Sequence, residues 1–412
     1  MHILLQFWHE LRKEKMRMFL TIMAICWGSA NVVLMLSVGE GLYRGFGAGM
    51  RGLGKNIVIV WGGQTSKPYA GFPVGRPIPL RLDDVELVSK QLPEIAAISP
   101  EYRSGSSMKY KDKVLSVDVH GVLPCWGPMR NMVPEPGGRF LNDLDESRKR
   151  RMVFIGNKLR DDLFGEGVNP VGRIVMINDI PFTVIGVMTK KIQTSSYSGR
   201  DANKAVIPAS THRMTFNQRW ISNLIYRPAD PSRTKAVQKS FRSLMAGKYR
   251  YDPTDEQCYQ MWDTIEMGDV VGKVMRGIEI FVGLIGALTL LIAGIGVANI
   301  IYVVIKERTR EIGIKIAVGA KPRYIIAQIV GESLITMVIG GALGVALAMG
   351  GVQLIRMIPI KQEELQFLAQ PVFSSLLALI CSLIIGFIGL MSGLFPARRA
   401  SRIDPVDALR YE

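Results

Sequence analysis

Polar and apolar positions alternate along much of this chain, but four stretches break the pattern. Phe19 to Val38, Ile280 to Ile305, Ser333 to Ile355 and Pro371 to Pro396 carry no charged residue. Each is long enough for a helix to cross a hydrocarbon core of about 30 Å, which takes roughly 20 residues. None has the polar face that a helix on a soluble core needs. The pattern predicts four membrane-spanning helices, at 18–39, 278–305, 324–355 and 371–396. The first reads as a retained anchor, because its apolar run is long, a charged segment precedes it and no small-x-small cleavage site follows cleanly. Ahead of it, Ile3, Leu4, Phe7, Trp8 and Leu11 recur at helical spacing. That is the pattern of an amphipathic helix lying in the head-group region over 1–17.

Residues 40–277 show the shorter periods of a folded domain. "NIVIVWGG" and "KVLSVDVHGV" are strand-like, and "GRIVMINDIPFTVIGVM" reads as a hairpin turning near Asn178-Asp179. "RMVFIGNKLRDDLFG" reads as a strand and a short helix, "LRLDDVELVSKQL" as a helix, and "PSRTKAVQKSFRSLMAGKY" as a second helix stopped at Gly247. The fold class expected is an α-helical membrane protein with four transmembrane helices plus a large α+β extracytoplasmic domain.

Charge sets the orientation. Arg12, Lys13, Lys15 and Arg17 flank the first span, six basic residues occupy Lys306 to Arg323, and Arg398, Arg399 and Arg402 follow the fourth. The 356–370 loop holds only Arg356 and Lys361, offset by Glu363 and Glu364. The positive-inside rule puts both termini, including the 397–412 tail, and the 306–323 loop in the cytoplasm, and 40–277 outside. Topology accounts for much of the cytoplasmic share of the net charge of +16 over 412 residues. The outer segment is basic as well, which suits anionic partners or lipid head groups, and no nucleic-acid-binding motif accompanies the charge. Of the four cysteines, Cys26 and Cys381 lie in spans. Cys125 and Cys258 lie outside, where a disulfide is permitted, though spacing alone does not bring them together.

Catalytic patterns are missing. Gly47, Gly49 and Gly52 fit G-x-G-x-x-G, and Gly49, Gly54 and Lys55 fit G-x-x-x-x-G-K, but Asn56 stands where Ser or Thr belongs and no strand precedes either. The stretch reads as a flexible glycine-rich exit from the first span. The histidines His2, His9, His120 and His212 are scattered, with no H-E-x-x-H, and no G-x-S-x-G occurs. The chain is expected to be no enzyme, with no cofactor or metal of its own.

Within the spans, Gly283, Gly286, Gly294 and Gly296 on the second and Gly340, Gly341 and Gly344 on the third let helix backbones approach closely, either inside one subunit or between two. Asn299 is expected to face protein rather than lipid. Glu332, in the third span, is a functional candidate by default, or an interfacial residue. The loop "KERTREIGIKIAVGAKPR" carries more than positive-inside charge: Glu307 and Glu311 interrupt the basic run, Ile312/Ile316 and Ile314/Val318 are spaced four apart, and Gly313, Gly319 and Ala320 are small. Apolar teeth with charged sides suit a helix that docks in a partner's groove.

"ERTREIGIKIAVGAKPR" resembles the E-R-T-x-E-I-G-[ILV]-[RK]-x-A-[LV]-G-A signature of MacB/FtsX-type ABC transporter permeases, and "PARRASRIDPVDALRYE" resembles that family's ending. "EPGGRFLNDLDESRKRRMVFIGNKLRDDLFGEGVNPVGRIVMINDIPFTVIGVM" is similar to the family's periplasmic core domain. The resemblance implies a homodimer of four-span permeases in the bacterial inner membrane, driven by two copies of an ABC ATPase that binds ATP and Mg. It makes the segment with Glu307, Arg308, Glu311, Ile312, Gly313, Lys315, Ile316, Gly319 and Ala320 the coupling helix. Ile316 stands where many relatives have a second basic residue. As the chain starts a few turns before the first span, the ATPase is expected on a separate polypeptide. An exporter working with a periplasmic adaptor and an outer-membrane channel is the leading expectation. A lipoprotein-release permease of LolC/LolE type and an FtsX-like regulator of a cell-wall hydrolase are the alternatives.

Overall fold

A computed structural model describes residues 15–193, 195–358, 371–373 and 375–401. Most of the amphipathic segment expected at 1–17, most of the 356–370 loop and most of the 397–412 tail fall outside them. The chain divides into two compact units, Phe46–Val271 and the remainder. In chain order the elements are α1 (Lys15–Leu53), β1 (Val58–Gln64), β2 (Pro77–Ile78), α2 (Leu82–Gln91), β3 (Ile95–Tyr110), β4 (Lys113–Val122), α3 (Trp126–Met129), α4 (Asp143–Ser147), β5 (Met152–Ile155), α5 (Asn157–Phe164), β6 (Ile174–Ile177), β7 (Ile180–Val187), β8 (Ala205–Pro208), α6 (Ala209–Phe216), β9 (Asn223–Pro228), α7 (Thr234–Tyr249), β10 (Tyr259–Asp263), α8 (Thr264–Glu307), α9 (Thr309–Ala317), α10 (Pro322–Met357) and α11 (Ser375–Ala400).

The outer unit is one sheet in the order β10-β1-β9-β3-β4-β8-β5-β7-β6, and β6 also pairs with β3. The six strands β3, β4, β8, β5, β7 and β6 thus close into a ring, in which β4–β8 and β5–β7 are parallel. Val119, Val153, Ile155, Val175, Phe182 and Val184 fill its core. At the open end, α2 and α7 cover one face through Val85, Val88, Phe241 and Met245, while Ile57, Ile59, Trp126, Phe154 and Val206 form a core on the other.

Local chemistry accounts for these elements. Asp84, in the first turn of α2, accepts the Arg81 N–H at 2.7 Å, satisfying a donor the helix leaves open. The β6–β7 turn places Asn178 and Asp179 at φ 45° and 61°, the left-handed pair that a two-residue hairpin requires. Gly247 does not stop α7. The helix runs on to Tyr249 and ends where Arg250 takes φ 52°. The glycine-rich exit is no flexible linker either, since Gly47, Gly49 and Gly52 all lie in α1. The helix survives them because tertiary packing outweighs a propensity cost of about 1 kcal/mol per glycine. A Cβ at Gly52 would stand 1.9 Å from the Ile192 carbonyl oxygen. Cys125 and Cys258 are free. Cys125 donates to the Ile98 carbonyl at 3.3 Å, and Cys258 is buried in the core beneath α2 and α7.

In the membrane unit, four helices are long and apolar enough to cross a bilayer among the described residues. α1 and α10 touch at glycines. A Cβ on Gly340 would meet Ile25 at 2.8 Å, and one on Gly344 would meet the Ser29 hydroxyl at 1.8 Å. Gly294 of α8 faces Ile388 of α11 in the same way, at 2.3 Å. These glycines pack helices inside one subunit. Gly283 and Gly296 face nothing within 4 Å.

Candidate coupling site

The charged loop folds as α9, a separate helix between α8 and α10. It begins at Thr309, whose hydroxyl donates to the carbonyls of Ile305 (3.1 Å) and Lys306 (2.8 Å) in the last turn of α8. Its end is fixed by Gly319 at φ 94°, where the Gly319 N–H reaches the Ile316 carbonyl at 2.9 Å and the Ala320 N–H the Lys315 carbonyl at 2.9 Å. A left-handed residue closing a helix in this way is strained for any side chain larger than glycine. Pro322 then opens α10 at a position where its missing N–H costs nothing.

The helix presents two different faces. Ile312 is buried with Ile305, Ile325, Ile329, Ala397 and Ala400, and Ile316 packs partly buried on the same cluster. Gly313 is buried too. Ile314 is 48% exposed and Val318 84%, with Glu307 and Glu311 also exposed. Of the apolar teeth that the spacing offers, Ile312 and Ile316 pack on their own subunit, and those left open are Ile314 and Val318.

A polar chain ties α9 and its entry to α10. The Lys315 ammonium donates to Gln328 at 3.1 Å, Gln328 donates to Glu332 at 3.2 Å, and the Arg308 guanidinium lies 3.6 Å from Glu332. Glu332, its side chain 14% exposed, thus pairs with Arg308, the residue between α8 and α9. Gln328 was missed from the sequence, although its spacing of four from Glu332 on a helix was a readable signal. Asn299, expected to face protein, is exposed on α8 within the single subunit.

The model for the MacB-like periplasmic core domain matches residues 18–244, and that for the FtsX-like permease C-terminal region matches 283–405. The chain belongs to the MacB/FtsX-type ABC transporter permease family. Similar proteins include the macrolide export ATP-binding/permease protein MacB of Bdellovibrio bacteriovorus, 29% identical over 99% of this chain and 61% of the relative. The pyoverdine export ATP-binding/permease protein PvdT of Pseudomonas syringae pv. syringae is 32% identical over 98% of this chain and 58% of the relative. The chain spans about three fifths of the length of these relatives. A crystal structure of the periplasmic region of MacB from Actinobacillus actinomycetemcomitans is similar at 18% identity and TM-score 0.43, covering 54% of this chain and 95% of that one. As a MacB/FtsX-type permease, the chain is a membrane protein in which α9 lies within the FtsX-like region.

Proposed function

We propose that this permease is the membrane subunit of an ATP-driven exporter in the bacterial inner membrane, with both termini and α9 in the cytoplasm. The ATP and Mg belong to a partner ABC ATPase, present in two copies, whose groove receives α9. The observation that carries this reading is the exposed Ile314 and Val318 on a helix held rigidly from behind by Ile312 and by the Arg308–Glu332 pair. Closure of the ATPases moves α9 and with it α8, and the outer unit pushes substrate from the periplasm toward an adaptor and an outer-membrane channel. The export relatives MacB and PvdT support this over lipoprotein release or hydrolase regulation.

The second permease is another copy of this chain. Met267, Val274, Phe281, Leu288, Ile295 and Tyr302 recur every seventh residue along α8, and all are exposed. A seven-residue apolar repeat suits the seam of a helix pair. Asn299, exposed beside it, gains a hydrogen-bonding partner from a facing Asn299 in lipid. The test of the docking face is Val318→Asp. It should leave the permease folded and cut ATPase co-purification by about tenfold or more, as losing an interface anchor does. Full co-purification would refute α9 as the docking helix.

A further inference from the structure

The outer unit contains a buried ionic cluster that the export reading does not use. The Asp201 carboxylate is fully buried and meets three cations: Arg130 at 2.7 Å, Lys204 at 2.9 Å and Lys191 at 2.8 Å. Their charges hold its carboxyl well below the usual carboxylate range. The same Arg130 guanidinium donates to the Leu53 carbonyl, the last of α1, and lies over the Tyr197 ring at 4.8 Å. Lys191 also donates to the Arg130 carbonyl at 2.9 Å. Asp201, Lys191, Lys204 and Tyr197 all sit on the connection from β7 to β8. That connection touches α1 twice more: Ile192 lies against Gly52, and the Ser195 hydroxyl is 3.4 Å from the Met50 sulfur.

Everything named belongs to the Phe46–Val271 unit, and α1 is one unbroken helix from Lys15 to Leu53. A buried carboxylate among three cations is an expensive way to gain stability, since well-packed apolar side chains commonly do as well. What it supplies is fixed geometry, and here the geometry fixed is that of a helix end against a strand connection.

We propose that Asp201, acting through Arg130, is the positioning residue of a joint by which displacement of α1 reaches β7 and β8, two strands of the closed ring. The α8 end is held differently. The Thr264 N–H and hydroxyl both donate to the Ile57 carbonyl, at 3.1 and 2.8 Å, and Asp263 accepts from Thr234 of α7 at 2.6 Å. The two helices therefore deliver motion to different parts of the outer unit. The inference rests on the ATP-driven reading above.

The test uses the full chain in lipid nanodiscs, with hydrogen exchange read by mass spectrometry. Asp201→Asn removes the charge, and Gly52→Ala pushes Ile192 away sterically, so one variant decides if the other fails to fold. Each should speed exchange in residues 46–53 and in the β7–β8 connection together by tenfold or more. A disulfide between Met50→Cys and Ser195→Cys, added to either variant, should restore slow exchange and lose that effect on reduction. A fold-only role for Asp201 would not be rescued by that single link. With the co-purified ATPase, Mg and a non-hydrolysable ATP analogue, the wild-type chain should show a nucleotide-dependent change in β7 and β8 that the variants lose and the disulfide restores. Wild-type exchange or a wild-type nucleotide response in both variants overturns the joint. A wild-type chain indifferent to nucleotide overturns the ATP-driven reading and the carriage of motion, while the first measurement still decides the attachment.

Discussion

Ile312 and Val318 lie six residues apart, and the same substitution should act on them in opposite ways. Ile312 is enclosed by Ile305, Ile325 and Ile329, so Ile312→Asp buries an unpaired carboxylate at a cost of several kcal/mol. The expected result is loss of folded permease from membranes, seen in detergent size-exclusion profiles. Val318→Asp, on an exposed residue, should leave that profile unchanged. The sequence alone could not separate them, because Ile312, Ile314, Ile316 and Val318 are apolar all round the helix. The inward face is chosen by Ile325 and Ile329 on α10 and by Ala397 and Ala400 on α11, residues distant in the chain. His212 offers a second test at this scale. It stacks on Tyr102 at a centroid distance of 5.8 Å, and burial pushes its pKa down to about 4 from the ordinary 6.5. The unfolded chain therefore binds a proton below pH 6.5 that the folded chain refuses until about pH 4. Stability is full above 6.5 and falls through that window, by up to about 3 kcal/mol. Glu101, held down to about 2 by His120 and nearby cations, adds further loss below its own ordinary range. Thermal midpoints measured from pH 7.5 to 4 should fall, and His212→Phe should flatten the decline between 6.5 and 4.

Among the elements, the glycines of α10 and the apolar stripe of α8 make separate predictions. Gly344→Leu drives a side chain into Ser29 on α1. Overpacking of this kind costs about 1–3 kcal/mol or more, and the yield of monodisperse protein should drop several-fold. Gly296→Leu, with nothing within 4 Å, should be tolerated within the subunit. Val274→Cys should form an inter-subunit disulfide on mild oxidation of native membranes, visible as a doubled mass on non-reducing gels. If it stays monomeric while Phe281→Cys and Leu288→Cys do too, α8 is not the seam. The spans, the β6–β7 hairpin and α2 were readable because each is encoded locally, by period or by turn residues. The closed ring was not. β3 pairs with β6 through Met108 and Ile177, almost 70 residues apart, and no local period records such a meeting.

At the scale of the whole molecule, the positive-inside asymmetry predicts that a cysteine at position 318 reacts with impermeant maleimide only after cells are opened. One at position 144, exposed on α4, should react in intact cells. The reverse result would invert the topology. The sheet carries a consequence for synthesis as well. β1 is the first strand made, yet its two long partners are β9 and β10, and Val58 pairs with Asp263. At about 5–20 residues per second, the roughly 200 intervening residues take some 10–40 s to emerge from the ribosome. Until β9 follows, a nascent strand rich in Val, Ile and Trp has only the two-residue β2 to pair with. A stalled or truncated chain ending before β9 never completes the pairing of β1 with β9 and β10, and an unpaired strand edge is a template for pairing with another chain.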